Sequence, residues 1–272
     1  MPPPAADAPC PEQAFNATAL KWHTCAWLLL PVLVFLTGWM HWYAALPLTL
    51  LTAAGLAPRK RKRPATRDSL PAFPLFTRSS FLALAAFAAL TALSGWGEWV
   101  NQHPDHIVRN ACLRELVASP WPVIFPDGNV LIYNTGFWLV PALAGKLAGL
   151  DAARVLVVLW GTWGLFLSWL WLCVFSGRRS LLLALLMAAF GSLLNLQCWL
   201  GLDLFRLHYF GTAEQIMCSA NASIPVLLFF IFLASGRMPL YWMPILFAAT
   251  AFYSPLAALG GLPLAACQWH RQ

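Results

Sequence analysis

Charge is scarce in this chain. Only 10% of its 272 residues are Asp, Glu, Lys or Arg, against about a quarter in an ordinary soluble domain. Acids are the rarer sign, ten against seventeen bases. No C-x-x-C pair occurs, and the cysteines are odd in number: Cys10, Cys25, Cys112, Cys173, Cys198, Cys218 and Cys267. Neither a disulfide framework nor a zinc site follows from that pattern. Cys173 and Cys198 lie inside apolar runs, where a thiol is a small hydrophobe. What is abundant is apolar: 60% of the residues are hydrophobic. A chain of this length still exposes a large surface, so that content excludes a soluble globular enzyme, and equally a disordered chain. The composition reads as a multi-pass membrane protein.

The basic residues are concentrated. Arg59 to Arg63, with Arg67 and Arg78, make up seven of the seventeen. A nucleic-acid patch has this look, but the block lies between two apolar stretches and fits a cytoplasmic loop under the positive-inside rule. No nucleic-acid partner is expected. Residues 1–24 carry Asp7, Glu12 and several prolines before the first base, Lys21. They do not read as a signal peptide, so a soluble tail leading into a retained anchor is expected.

Windows without any charged residue mark the spans. The first, 22–58, is longer than the roughly 20 residues one crossing needs. Its Gly38-Trp39-Met40-His41-Trp42-Tyr43 patch is interfacial. This predicts a hairpin of two short helices over 25–57, followed by a basic loop over 58–78. Single spans are expected at 79–97, 155–175, 180–202 and 215–236, and two short ones in the proline-broken 238–270. The window 128–145 carries Tyr133, Asn134, Thr135 and Pro141, and reads as re-entrant or interfacial. The expected fold is all-α: a polytopic transmembrane bundle of about seven to eight spans. Its core would occupy 79–272, with outer loops at about 98–152 and 201–223. Seven of the ten acids fall in those two loops.

The densest polar stretch runs from Glu98 through Asn101, Gln102, His103, Asp105 and His106 to Arg109, Asn110, Arg114 and Glu115. Pro104 suits the first position of a helix, and Asp105 would lie in its first turn. On a helical wheel Asp105, His106, Arg109, Asn110 and Arg114 share one half, while Ile107, Val108, Ala111 and Cys112 share most of the other. This predicts an amphipathic helix lying on the membrane surface. The carboxylate there suits a hard divalent cation or a proton from a hydroxyl, and the guanidiniums suit a phosphate. The bland alternative is an Asp105–Arg109 pair at i,i+4 with headgroup contacts for Arg114. Trp96, Trp99 and Trp121 are expected as interfacial anchors. Lys146 either snorkels to headgroups or meets a phosphate. The second loop, Asp203 to Gln215, again mixes acid, Arg and His without forming a motif.

Gly95-Trp96-Gly97, Gln102, Asp105, Arg109-Asn110, Leu113-Arg114-Glu115-Leu116, Trp121-Pro122-Val123, Tyr133, Gly136, Pro141 and Gly145-Lys146 together resemble bacterial membrane glycosyltransferases of the GT-C type. These use polyprenyl-phosphate-linked sugars, and the likeness is to an uncharacterised branch, over about 95–150. The resemblance implies an inverting transfer to an envelope glycan, lipid or protein, in the bacterial inner membrane. Asp105 would be catalytic base or metal ligand, with Glu98, His106 and Glu214 as further candidates. His106, Arg109, Asn110, Arg114 and Lys146 would bind the donor. Gly211-Thr212-Ala213-Glu214-Gln215 is loosely similar to a second acidic motif of the family. Mg or Mn is implied by some members, although the usual paired acids are Asp-His here. Family members usually run longer, which implies a truncated or minimal version. Two other classes stand beside this one: a non-catalytic scaffold of an envelope complex, and a transporter. Against the latter, no acid or Lys lies at mid-depth in the clear spans and no inverted repeat is visible.

Overall fold

A computed structural model describes residues 17–57, 77–100, 102–190 and 211–271. The basic loop through Arg67, most of the N-terminal tail and the Asp203–Phe210 part of the second loop lie outside them. Among the described residues every regular element is helical, apart from one isolated antiparallel bridge, Ile124 to Val130.

Eleven α-helices follow one another among the described residues: α1 Ala17–Trp39, α2 Trp42–Leu56, α3 Arg78–Leu93, α4 Pro104–Ala118, α5 Gly136–Ala148, α6 Leu150–Ser176, α7 Leu181–Ala189, α8 Thr212–Ala234, α9 Met243–Tyr253, α10 Pro255–Gly260 and α11 Leu262–Arg271. The long 22–58 window is divided at Met40 and His41, inside the aromatic patch. Helix α1 starts at Ala17, so residues 17–24 of the expected tail are helical. Among the described residues three helices are long and apolar enough to cross a membrane: α1, α6 and α8. This is a membrane protein. Helix α5, with 13 residues, reaches only about 20 Å and does not cross by itself. The 238–270 window holds three short α-helices.

Helix α6 is the centre of the bundle and packs against α1, α3, α5 and α8. Its small residues allow this. A Cβ on Gly164 would meet Ile224 Cγ2 and Trp27 Cζ2, each at 2.6 Å. Helices without a water-driven term between them associate by such close approach. Some buried polar groups are paired across helices. The hydroxyls of Thr91 on α3 and Thr162 on α6 lie 2.7 Å apart, and the Trp171 indole donates to Thr24 Oγ1 on α1. Pro31 lies inside α1 and cannot donate to the carbonyl four residues earlier. That carbonyl, on Trp27, accepts from the Tyr253 hydroxyl of α9 at 3.2 Å.

Candidate functional site

The site is built where α4, the turn after α3 and the first half of α8 meet. Helix α3 ends at Leu93, and the chain then turns through Gly95, Gly97 and Glu98, all at positive φ. Glycine adopts this region freely, but a glutamate does not. Glu98, at φ 68°, is held there by two arginines. Its Oε2 accepts from Arg114 at 2.6 Å and also from Arg154 of α6. Arg154 in turn holds the exposed Asp151, at 2.8 Å. Burial pushes the Glu98 carboxyl up, but the hydrogen bonds and charges of Arg114 and Arg154 outweigh it and hold the group below its ordinary range. Glu98 therefore ties the turn, α4 and α6 together. This is a structural use of a residue that sequence reasoning placed among the catalytic acids.

Helix α4 starts as its residues dictate. Pro104 occupies its first turn, and the His103 side chain accepts from the Asp105 N–H. The wheel reading needs correction, however. His106, Arg109, Cys112, Leu113 and Leu116 form the buried face, whereas Ile107 and Val108 are 70% and 56% exposed. The polar residues turn inward because the interior offers them partners. Trp96, expected as an interfacial anchor, is buried under them: its ring centroid lies 4.9 Å from that of His106 and 5.9 Å from the Arg109 guanidinium. The outward Ile107 and Val108, with exposed Trp99 and Ile124, give the surface-helix expectation an apolar face of different composition.

Helix α8 supplies the other wall. It leaves helical geometry at Ser219 (φ −149°, ψ 44°). Such a break displaces the N–H groups that would reach the carbonyls one turn earlier. Those carbonyls are used by the site: Ile216 accepts from the Trp96 indole at 2.9 Å, and Met217 is bonded to His106 Nε2 at 2.8 Å. A carbonyl can only accept, so Nε2 carries the proton. Burial lowers the His106 pKa, the Met217 bond acts in the opposite sense, and the Arg109 charge lowers it further. Arg109 Nη2 donates to Ser219 Oγ at 3.3 Å and lies 3.8 Å from Asp105.

Asp105 remains accessible, its side chain 52% exposed. Asn110 donates to Gln102, and Gln102 to the Gly95 and Val100 carbonyls, so both brace the turn. Lys146 donates to the Val117 and Ser119 carbonyls at the end of α4 and lies over the Trp121 ring. Glu214 closes a capping box on the Gly211 N–H of α8. The structure thus brings Asp105, His106 and Arg109 together. Arg114 meets Glu98 instead, more than two helical turns from Asp105 along α4. Sequence reasoning missed Arg154, Ser219 and the two α8 carbonyls. The pair Asp151-x-x-Arg154 was readable at i,i+3 spacing, but nothing in the sequence marks the break at Ser219.

A divalent cation does not fit these residues. Among those described, no three His, Cys, Asp or Glu side chains converge, and the guanidinium beside Asp105 opposes a second positive charge there. Comparison with protein-family models, curated proteins and solved structures found no match.

Proposed function

We propose that the chain is an integral membrane glycosyltransferase. It takes a sugar from a polyprenyl-phosphate donor and passes it to an envelope acceptor on the outer face of the bacterial inner membrane. The observation that carries this reading is the pairing on α4 of a half-exposed carboxylate, Asp105, with a buried guanidinium, Arg109, beside three helices fit to cross a membrane. Asp105 accepts the proton of the acceptor hydroxyl as its oxygen attacks the anomeric carbon. The bond from that carbon to the donor phosphate breaks, and the phosphate leaves with the electron pair. One displacement inverts the centre. Beside α1, α6 and α8 the reading takes α2, α3, the 180–202 window and one or two short spans of 238–270 as further crossings, for about seven to eight spans in all. The basic loop faces the cytoplasm.

The test is transfer by the purified full chain in lipid nanodiscs, supplied with a polyprenyl-phosphate sugar. Asp105→Asn should lower the rate by at least about a hundredfold while the melting temperature holds. Full activity in that variant would overturn the assignment.

A second reading, a non-catalytic scaffold, is favoured by one observation. Glu98, Arg114, Arg154 and Lys146 all use their charges on contacts within the chain. On that reading the double variant Asp105→Asn/Arg109→Gln keeps its fold and its place in a complex.

A further inference from the structure

We propose that Arg109, Ser219 and the start of the helical segment beyond Ser219 form a binding site for a phosphate oxyanion between α4 and α8. The proposal deepens the reading above, and rests on it for the lipid-linked form of the ligand only.

The Arg109 side chain is only 9% exposed. Its Nη2 is used by Ser219 and Asp105, but Nε and Nη1 are buried without a partner among the described residues. Buried donors on a charged group are costly to leave unpaired, and native structures nearly always satisfy them. Asp105 does not serve them, since it lies against Nη2. The second observation is independent. The break at Ser219 restarts the helix over 220–234. The first N–H groups of a restarted helix lack partners one turn earlier, and they carry the positive end of its dipole. Arg109 reaches that end through the Ser219 hydroxyl. A guanidinium and a helix start therefore address one place, the combination that favours an anion.

The chemistry selects the class of anion. A guanidinium with free donors beside a helix start suits a tetrahedral oxyanion, whose oxygens each accept more than one hydrogen bond. His106 Nδ1 nearby is also buried and unpartnered, and a protonated phosphate oxygen would donate to it. The Trp96 ring beneath Arg109 holds the guanidinium plane. Arg114 and Lys146 are bound elsewhere and contribute no donor.

The experiment measures binding to the detergent-solubilised full chain, with inorganic phosphate and polyprenyl monophosphate as separate probes. Arg109→Lys should weaken both about tenfold, the loss of about one charge-assisted contact. Ser219→Ala, which removes one hydroxyl and leaves the charge in place, should weaken them about threefold to tenfold. Arg178→Gln, on the exposed turn after α6, should change neither. Tighter binding of polyprenyl monophosphate than of inorganic phosphate assigns the site to a lipid donor; equal binding assigns it to free phosphate. Wild-type affinity in both Arg109→Lys and Ser219→Ala, or no binding of either probe to the unaltered chain, overturns the site. The two proposals fail separately. Phosphate binding lost with Arg109→Lys while Asp105→Asn still transfers sugar removes the transferase and keeps the site. The reverse result removes the site and keeps the transferase.

Discussion

Glu98 and Arg114 form an ion pair 2.6 Å long, although sixteen residues of chain separate them. The same carboxylate oxygen takes Arg154 from α6, so one acid fixes three elements. Its own backbone is in the left-handed region, a conformation that persists only where surrounding contacts impose it.

Glu98→Gln should therefore destabilise the chain by about 2–3 kcal/mol at neutral pH, between an exposed pair and a fully buried one. The pH dependence has a definite sign. The folded group is held below its ordinary value of 4.5, so its contribution is fully present above that value and is lost as pH falls through the folded one. Thermal melts of the detergent-solubilised chain from pH 7 to pH 3 check this. The unaltered chain should lose more stability below pH 4.5 than the Gln variant does.

His106 acts in a higher window. Its folded value lies below the ordinary 6.5, so the unfolded chain binds a proton that the folded chain resists. Stability should fall as pH drops from 6.5 toward the folded value. His106→Gln keeps a donor for the Met217 carbonyl and removes the titration. The drop in melting temperature between pH 7.5 and pH 5.5 should shrink in that variant; an unchanged drop would assign the effect to another group.

The Tyr253 hydroxyl replaces the bond that Pro31 cannot give to the Trp27 carbonyl. Tyr253→Phe should cost about 1–2 kcal/mol by leaving that buried acceptor unpaired. In a Pro31→Ala background the cost should be smaller, because the alanine that replaces the proline brings a backbone N–H to the same carbonyl. A double-mutant cycle on chemical unfolding measures the coupling, and strict additivity would disprove the compensation.

Gly164→Val should be among the most harmful single changes in the spans. The added Cβ would stand 2.6 Å from both Ile224 and Trp27, and overpacking of this kind costs about 1–3 kcal/mol or more. Gly260→Ala meets nothing within 4 Å and should be close to neutral. Melting temperatures and monodispersity of the two variants give the comparison.

The sequence makes the membrane-spanning helices readable because charge cannot be hidden in lipid. The windows around α1, α6 and α8 stand out for that reason, and the aromatic patch at Gly38 to Tyr43 marks the break before α2. Helix α4 is found from Pro104 and Asp105, but its buried face is not. A wheel assumes that polar side chains face water, and His106 and Arg109 instead find a carbonyl, a hydroxyl and an indole inside. Those partners on α8 lie more than a hundred residues later, and no local periodicity reports them. Glu98 reads as a free acid for the same reason: Arg154 is 56 residues away. Only its flanking glycines, Gly95 and Gly97, hint that a turn rather than a reaction fixes it.

The dependence of α4 on α8 sets an order of assembly. Trp96, His106 and Arg109 take partners at 216, 217 and 219, 110 to 120 residues downstream. At about 5–20 residues per second of synthesis, these side chains emerge roughly 5–25 s before the helix that receives them. During that interval Arg109 and His106 have the nearby Asp105 and Trp96 but not their partners on α8. The contacts of α4 are thus completed only once α8 has been made. A ribosome pause placed just before residue 211 should lengthen the protease-sensitive life of the α4 segment, without touching a residue of the finished fold.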